Sequence, residues 1–411
     1  MTVRFEKIAD TLEQKIRSGE ISGKLPNEKE LASQFSVASM TMSRAINVLK
    51  DKGLIRQVHR RGTFVVPPEK KVLRLWHKST CYFAGKYPEI MLNGVPDVSI
   101  ETVNNFEEAD IVVFPTTIPM NYSSHFMPWP QEIIRKLKKS GKFFDQVFEF
   151  HHIGTPVYAV AYSFCPCVLA YNKKLMKKYC PEFSSGSFTC DDIIKLLEKV
   201  PPELRPDSKK TNRLLLSMAY SSGSLDKALH SYEKMQLIPE SEIPSHERIF
   251  SVVTRTAIFD PDVQRSCGLV PMPELNGKRY CQPVSEAVFV PLTSRYPEIA
   301  FQLAVNTLAE PFQHEVARDC DNLPANREVA VNCKYNGSLS DDIFFDEIDH
   351  IHYPREIIDP LSTAVILMGL KEFAGHRLTI KEFTTLLNEE KINAERRRKA
   401  IEKILENQIA L

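Results

Sequence analysis

The first 66 residues contain three segments with apolar side chains at helical spacing, followed by two short β-prone runs on either side of a basic turn. Helices of this length are marginal in isolation, so their apolar stripes have to pack against one another. The β-prone runs, 54–58 and 63–66, flank His59-Arg60-Arg61-Gly62, which predicts a hairpin with a basic tip. Three helices and a hairpin in this order predict a winged helix-turn-helix.

Local signals predict where these helices begin and end. Asn27 followed by Glu30 resembles a capping box and opens the second helix. After a turn at 36–38, Ser39 is expected to cap the third helix, which Gly53 ends. The first helix is expected to bury Phe5, Ile8, Ala9, Leu12 and Ile16, and the third Met42, Ala45, Ile46 and Leu49.

The outward side of the third helix and the hairpin tip carry residues suited to nucleic acid. In a winged helix the third helix enters the major groove through its N-terminal turns, while the wing reaches phosphates or the minor groove. Arg44 has a guanidinium fork that matches a guanine edge, and hydroxyl side chains suit phosphates or bases. The candidate DNA-binding residues are Lys29, Ser39, Thr41, Ser43, Arg44, His59, Arg60, Arg61 and Thr63.

Charge is distributed unevenly along the chain. Residues 1–71 contain 14 Lys/Arg and 8 Asp/Glu. The remaining residues contain 39 Lys/Arg and 44 Asp/Glu. Attraction to phosphates depends on local surface charge. We therefore expect a polyanionic partner for the N-terminal segment alone.

The N-terminal segment resembles the head of the GntR family of transcription regulators, in the sequence LPNEKELASQFSVASMTMSRAINVLKDKGLIRQVHRRGTFVV at residues 25–66. The resemblance implies double-stranded operator DNA as a partner, with Lys29, Arg44 and the Arg61-Gly62-Thr63 wing at the DNA. Two positions depart from the family pattern. Ala38-Ser39 stands where the family commonly has Ser-Arg, and Arg60 stands where the wing usually carries a first glycine. The operator is therefore expected to differ from the family's common ones.

Pro67-Pro68-Glu69-Lys70-Lys71 cannot continue a strand and marks a domain boundary. We predict a head at residues 1–66, a linker at 67–71 and a body at 72–411. In the body, strand-like runs at 72–76, 98–103 and 111–114 alternate with helical patterns such as 131–139 and 191–199. The overall class is thus α/β, with a winged helix-turn-helix followed by a two-lobed α/β domain.

The body resembles the solute-binding proteins of ABC importers, which have the type II periplasmic-binding fold, and the sugar binders in particular. Three stretches carry the resemblance, at 154–200, 256–318 and 322–329. It implies a small-molecule effector, a carbohydrate or related solute, held between two lobes by loops at strand ends. The ligand-binding candidates on those loops are Trp76, Thr116, Tyr162, Asp260 and Glu286.

Other interpretations remain open for the body. It could be a LacI-type sensor, or a domain that has lost its ligand and serves dimerisation or protein docking. A pyridoxal-phosphate enzyme is less favoured, because we find no lysine and aspartate in the surroundings which that cofactor needs. Nucleophile-elbow, zinc-helix and phosphate-loop motifs are likewise missing from the sequence. We expect no catalysis and no cofactor.

The remaining features favour a cytoplasmic protein, expected to act as a homodimer on a palindromic operator. No apolar run has the length of a membrane span, and the N-terminus lacks the pattern of a secretory signal. The nine cysteines form no disulfide framework. Cys165 and Cys167 follow His151 and His152, but inside an apolar run and without the spacing of a known zinc site, so no metal is expected.

Overall fold

The computed structural model describes residues 4–59, 61–66, 70–78, 87–115, 122–152, 155–183, 186–207, 214–215, 217–218, 225–235, 237, 243–281, 283–319, 322–335, 337–351, 365, 368–369, 372–373 and 377–409. The chain divides into two compact units, one of residues 1–72 with 97–99 and the other of residues 73–96 with 100–411.

The first unit contains three helices and a hairpin, which confirms the predicted winged helix. Its elements are α1 (Arg4–Arg17), α2 (Glu28–Gln34), α3 (Ser39–Asp51), β1 (Ile55–Val58) and β2 (Gly62–Val65). The predicted stripes of α1 and α3 meet in one hydrophobic core, in which Leu12, Met42 and Leu49 are fully buried. The hairpin closes this core through Ile55.

Two of the three predicted helix-end signals around α2 and α3 are confirmed. Asn27 and Glu30 form the capping box, with the Asn27 side chain accepting from the Glu30 N–H at 3.0 Å. After α3, Gly53 has φ +71, and the N–H groups of Gly53 and Leu54 donate to the carbonyls of Lys50 and Leu49. These two bonds form a Schellman motif, which needs a residue in the left-handed region.

The prediction that Ser39 caps α3 is wrong. Ala38 is the N-cap, with extended backbone and no side-chain hydrogen bond, and Ser39 is the first helical residue. The Ala38 carbonyl accepts from Thr41 and Met42. These bonds place the helix start one residue before the start that a Ser39 cap would give, after a turn in which Ser36 has φ +51.

A six-stranded sheet forms the larger part of the second unit. Its strands are β3 (Lys71–His77), β4 (Val98–Thr102), β5 (Ile111–Pro115), β8 (Ala161–Cys165), β12 (Val284–Phe289) and β13 (Leu323–Pro324), in the order β13-β8-β12-β5-β3-β4. β3 runs parallel to β5, while β12 runs antiparallel to both β5 and β8. β6 (His151–His152) pairs with β7 (Val157–Ala159). The predicted strands at 72–76, 98–103 and 111–114 are confirmed with shifts of one residue at their ends.

A smaller antiparallel sheet lies further along the chain. It has the order β10-β9-β11, with β9 (Val168–Asn172), β10 (Phe250–Val253) and β11 (Cys267–Val270). Its own hydrophobic core includes the apolar faces of the helices at 190–199 and 225–234 and, from the C-terminal helix, Phe383 and Leu387. Two sheets with helices packed on them confirm the predicted mixed α/β class.

The helices of this unit are mostly short. They are α4 (Tyr87–Met91), α5 (Tyr122–His125), α6 (Gln131–Lys139), α7 (Lys173–Tyr179), α8 (Cys190–Lys199), α9 (Leu225–Lys234), α10 (Pro261–Ser266), α11 (Pro297–Asn306), α12 (Glu310–Asp319), α13 (Arg327–Asn332), α14 (Asp342–Asp346) and α15 (Ile380–Ile409). The predicted helices at 131–139 and 191–199 are confirmed as α6 and α8. Among the helices of the described ranges, none combines the length and apolar character needed to cross a bilayer.

Short segments connect the two sheets. β8 leads through Pro166 and Cys167 into β9, and the chain returns from β11 to β12 through residues 271–283. Buried sulfur atoms accept backbone hydrogen bonds here: Cys165 Sγ from the Arg255 N–H at 3.1 Å and Cys281 Sγ from the Cys167 N–H at 2.8 Å. The Arg255 guanidinium forms two bonds, of 2.7 and 2.8 Å, with the Asp341 carboxylate. Because a bidentate ion pair fixes orientation as well as distance, it holds this crossing in register.

Candidate functional site

The exposed side of α3 is the first part of the candidate site. Met42, Ala45, Ile46 and Leu49 are buried, so the opposite side faces solvent. Ser39 and Arg44 are exposed, and Thr41 and Ser43 are half-buried. Met40 is also on this side and is 71% exposed. The structure thus places four predicted contact residues on or beside one solvent-facing surface.

The hairpin forms the second part. Val58 pairs with Gly62, and the Arg61 N–H donates to the Val58 carbonyl at 3.0 Å, which closes a tight turn. His59 and Arg61 at this turn are exposed, and Thr63 is half-buried. Arg60 lies outside the described residues. The predicted basic tip is therefore present in the described residues as His59 and Arg61.

A third extended segment, which the sequence pattern does not indicate, lies beside the hairpin. Val65 donates its N–H to the Gly23 carbonyl at 2.8 Å, and Leu25 donates to the Thr63 carbonyl at 2.8 Å. Lys24 between them pairs with Phe64. The two residues between Gly23 and Pro26, Lys24 and Leu25, are too few to show a period, so only their pairing with β2 identifies the segment.

This segment adds Lys24 to the basic groups of the wing. Gly62 has φ +108, and a Cβ placed on it would lie 2.9 Å from Lys24 Cε. The Lys24 stem therefore runs across the Gly62 backbone, where a larger residue would displace it. Lys24 is exposed, so its ammonium group is available at the wing.

In the first unit, the basic side chains near α1 are paired with carboxylates, whereas those on the α3 and wing side are not paired with any described carboxylate. Lys52 contacts Glu13 at 2.7 Å, Arg17 contacts the same carboxylate at 2.6 Å, and Lys15 contacts Glu20 at 2.7 Å. The hydrogen bond from Lys52, followed by that from Arg17, lowers the pKa of Glu13. Within the part of the chain that the structure describes, no carboxylate forms an ion pair with Lys24, Lys29, Arg44 or Arg61.

In the second unit, two predicted ligand residues form a pair. The Tyr162 hydroxyl donates to Glu286 Oε2 at 2.7 Å, and both side chains are buried. Glu286 is in register with Pro115, the last residue of β5, and with Ser163 of β8. The pair therefore lies level with the carboxyl end of β5, where Thr116 follows. Thr116 itself lies outside the described residues.

Trp76 and Asp260 are not part of this pair. Trp76 packs edge-on against Phe106, 5.4 Å between ring centroids, and against the cluster that contains Ala287. Glu286 and Ala287 are consecutive residues of β12, so their side chains point to opposite faces of the sheet. Trp76 packs with the cluster that contains Ala287 and therefore lies on the face opposite Glu286. Asp260 is exposed and caps α10, accepting from the Asp262 and Val263 N–H groups.

The histidines and cysteines before β9 have partners other than metal. His151 is fully buried, its Nε2 lies 3.2 Å from Ser285 Oγ, and burial lowers its pKa to about 3. Cys165 and Cys167 take part in the backbone hydrogen bonds at the crossing. Among the described residues, no group of three or more His, Cys, Asp or Glu side chains is arranged to hold a metal ion.

Residues 4–65 match the family model of the bacterial regulatory proteins, gntR family. The head carries a gntR-type winged helix. A histidine utilization repressor of Klebsiella aerogenes is 37% identical to this chain over 67 residues, and the HTH-type transcriptional repressor NagR of Bacillus subtilis is 36% identical over 67 residues. Each match covers 16% of this chain and 28% of the relative, so it concerns the gntR-type head alone.

Most of the chain is similar in fold to solute-binding proteins. The sugar-binding protein MalE of Xanthomonas citri gives a TM-score of 0.61 at 14% identity, covering 81% of this chain and 99% of that one. A solute-binding protein of Thermotoga lettingae bound with α-D-tagatose gives 0.60 at 14%, covering 79% and 99%. A substrate-binding protein of Listeria monocytogenes in complex with cycloalternan gives 0.59 at 12%, covering 80% and 98%. The predicted solute-binding-protein fold is confirmed, and the LacI-type and pyridoxal-phosphate alternatives are not favoured.

Proposed function

We propose that this protein is a ligand-responsive transcription regulator that binds operator DNA through its head, residues 1–66, and a carbohydrate or related solute through its body, residues 72–411, with a linker at 67–71. The observation that carries the proposal is the set of exposed basic side chains on α2, α3 and the wing, which have no ion-pair partner among the described residues. Cations that pair with no described carboxylate and lie next to a recognition helix suit phosphates and base edges.

In this proposal, the basic and hydroxyl side chains of the head divide between contacts to bases and contacts to phosphates. Arg44 donates two hydrogen bonds to a guanine edge in the major groove. Lys24, Lys29, Arg61 and the hydroxyl residues of α3 position the head on the phosphates. The full set of proposed contacts comprises Lys24, Lys29, Ser39, Thr41, Ser43, Arg44, His59, Arg60, Arg61 and Thr63.

The solute-binding fold supports the sensing half of the proposal. Ligands of open α/β folds bind outside the carboxyl ends of strands, and Tyr162 with Glu286 lies level with that end of β5. We propose that this pair and Thr116 supply polar contacts. Trp76, near the end of β3, and Asp260, the N-cap of α10, remain proposed contacts on the basis of the resemblance. Catalysis forms no part of the proposal, and we place the protein in the cytoplasm as a homodimer.

The test is selection of a duplex from a random-sequence library by the full-length protein, followed by fluorescence anisotropy at fixed salt. Arg44→Ala is expected to weaken binding to the selected duplex about tenfold to a hundredfold, because a bidentate base contact is lost. Arg17→Ala is the matched control, since Arg17 is an exposed arginine of the same unit paired with Glu13. Its affinity should stay within about twofold of the parent chain.

One result would overturn the proposal. If the folded parent chain retains no duplex even at low ionic strength, where phosphate contacts are strongest, the head does not bind DNA. Circular dichroism of the same preparation establishes that it is folded.

A further inference from the structure

Met40 is an apolar side chain at a position where the proposed function expects polar groups. It lies in the first turn of α3 and is 71% exposed, whereas the other apolar residues of α3 are buried or half-buried. An isolated exposed apolar side chain is common on protein surfaces. Its position within the helix is what makes Met40 informative.

Met40 shares one face of α3 with the proposed DNA-contacting arginine. Residues four apart on a helix are neighbours, about 5–6 Å between their Cβ atoms. Arg44 therefore follows Met40 one turn later, and Asn47 follows Arg44, and all three are exposed. Since a recognition helix contacts base edges through its N-terminal residues, Met40 is the member of this stripe that enters the groove first.

The chemistry of the major groove leaves few partners for a thioether side chain. Guanine, cytosine and adenine present only hydrogen-bonding groups there, whereas thymine also presents its C5-methyl group. Ala38 and Ser39, at the preceding positions, offer no long donor that would compete for the same base pair. The unbranched, polarisable methionine side chain adapts to the exact position of such a methyl group.

We propose that Met40 is a specificity-determining residue that selects thymine, through its methyl group, at one base pair of each operator half-site. The inference rests on the proposed DNA-binding function and deepens it. It places an apolar contact to thymine one helical turn before the hydrogen-bonded contact of Arg44. The operator half-site therefore combines a methyl-selected A·T pair with a guanine read by Arg44.

The experiment replaces, one at a time, each thymine of the selected duplex by deoxyuridine, which lacks only the C5-methyl group. With the full-length parent chain, one position in each half-site is expected to lose about fourfold in affinity, the value of one buried methyl group. Met40→Ala removes the contact in both half-sites of the homodimer, so the thymine duplex should bind about sixteenfold more weakly, about fourfold for each half-site, and the deoxyuridine substitution should cause no further loss. Non-additivity of this kind reports direct contact.

Two variants complete the design. Val331→Ala removes a 53% exposed apolar side chain from the body and should leave duplex affinity unchanged. Met40→Gln should redirect repeated selection toward adenine at the same position, because a glutamine amide pairs with the adenine edge.

Distinct outcomes separate the two proposals. The inference fails if no thymine position responds to loss of its methyl group, if the loss persists in Met40→Ala, or if Met40→Ala weakens binding only by reducing dimer formation. In each of these cases the parent chain still binds duplex DNA, so the proposed function stands. Failure of the parent chain to bind any duplex overturns both.

Discussion

Glu347 is a fully buried carboxyl group in the second unit, next to the segment that links β11 to β12. Arg279 Nη2 lies 3.0 Å from its Oε1. Burial raises the pKa of Glu347 to about 7, and the attraction to Arg279 opposes this shift without cancelling it. The dominance of burial shows that one cation does not compensate the lost hydration of a buried carboxylate.

This shift predicts a pH dependence of stability. Between the ordinary pKa of 4.5 and about 7, the folded chain retains a proton on Glu347 that the unfolded chain has lost. The contribution of Glu347 is thus fully present below pH 4.5 and is lost as the pH rises through about 7, by roughly 3 kcal/mol in total. The melting temperature of the full-length protein at pH 5, 6, 7 and 8 measures this.

Glu347→Gln should remove that component of the pH dependence, because the amide stays neutral throughout. At pH 8 the variant should melt higher than the parent chain. Glu203→Gln, at an exposed position of the same unit, is the control and should keep the parent profile. A profile for Glu347→Gln that parallels the parent chain would show that Glu347 titrates normally.

At the scale of the element, α3 shows how a short-range signal can mislead. Ser39 is a favourable N-cap residue, but the first helical hydrogen bonds are accepted by the Ala38 carbonyl, which makes Ala38 the N-cap. The capping box of α2 was predicted correctly because both partners lie within four residues of sequence. A start marked by two mutually bonded residues is therefore more predictable from sequence than one marked by a single favourable cap residue.

The misplaced cap leads to a prediction for α3. Ala38 has the extended backbone of an N-cap and is exposed, so Ala38→Ser supplies the missing acceptor without a clash. We expect it to stabilise the first unit by about 1 kcal/mol, measured by urea unfolding of the full-length protein. Ser39→Ala is the matched variant and should be nearly neutral. A large loss with Ser39→Ala would restore Ser39 as the cap.

The candidate site was less predictable than the elements that carry it. Lys29 and Arg44 follow from the helix pattern, whereas Lys24 becomes a wing residue only through its pairing with Phe64, 40 positions away. Similarly, the sequence identified Tyr162 and Glu286 separately, but strand order and register make them a hydrogen-bonded pair. Trp76 lies on the opposite face of the sheet. Side chains alternate between the two faces along a strand, and the register between strands, which sequence separation does not reveal, decides which residues share a face.

At the scale of the whole molecule, the proposed function joins two folds whose sites lie in separate units. Regulation requires the ligand to bind one DNA-binding state more tightly than another. Typical coupling is about 1–3 kcal/mol, which corresponds to roughly 5- to 150-fold in operator affinity. Neither fold supplies this coupling by itself.

The corresponding prediction uses a panel of sugars. A sugar that binds should raise the melting temperature of the protein, by the equivalent of about 2.7 kcal/mol at 100 times its dissociation constant. The same sugar should change affinity for the selected duplex at fixed salt. Arg44→Ala is the control, because it should keep the thermal stabilisation. Stabilisation by a sugar with unaltered operator affinity would contradict the coupling.

The pairing of Gly23 and Leu25 with β2 has a practical consequence for domain exchange. β1 and β2 form a two-stranded sheet, and the bridge at Lys24, in the segment before α2, covers the outer edge of β2. A chimera that joins this head to another sensor must therefore take the stretch from α1 to β2 as one uninterrupted block. A splice made after Pro26 would uncover the backbone of β2 and leave the graft open to edge-to-edge aggregation.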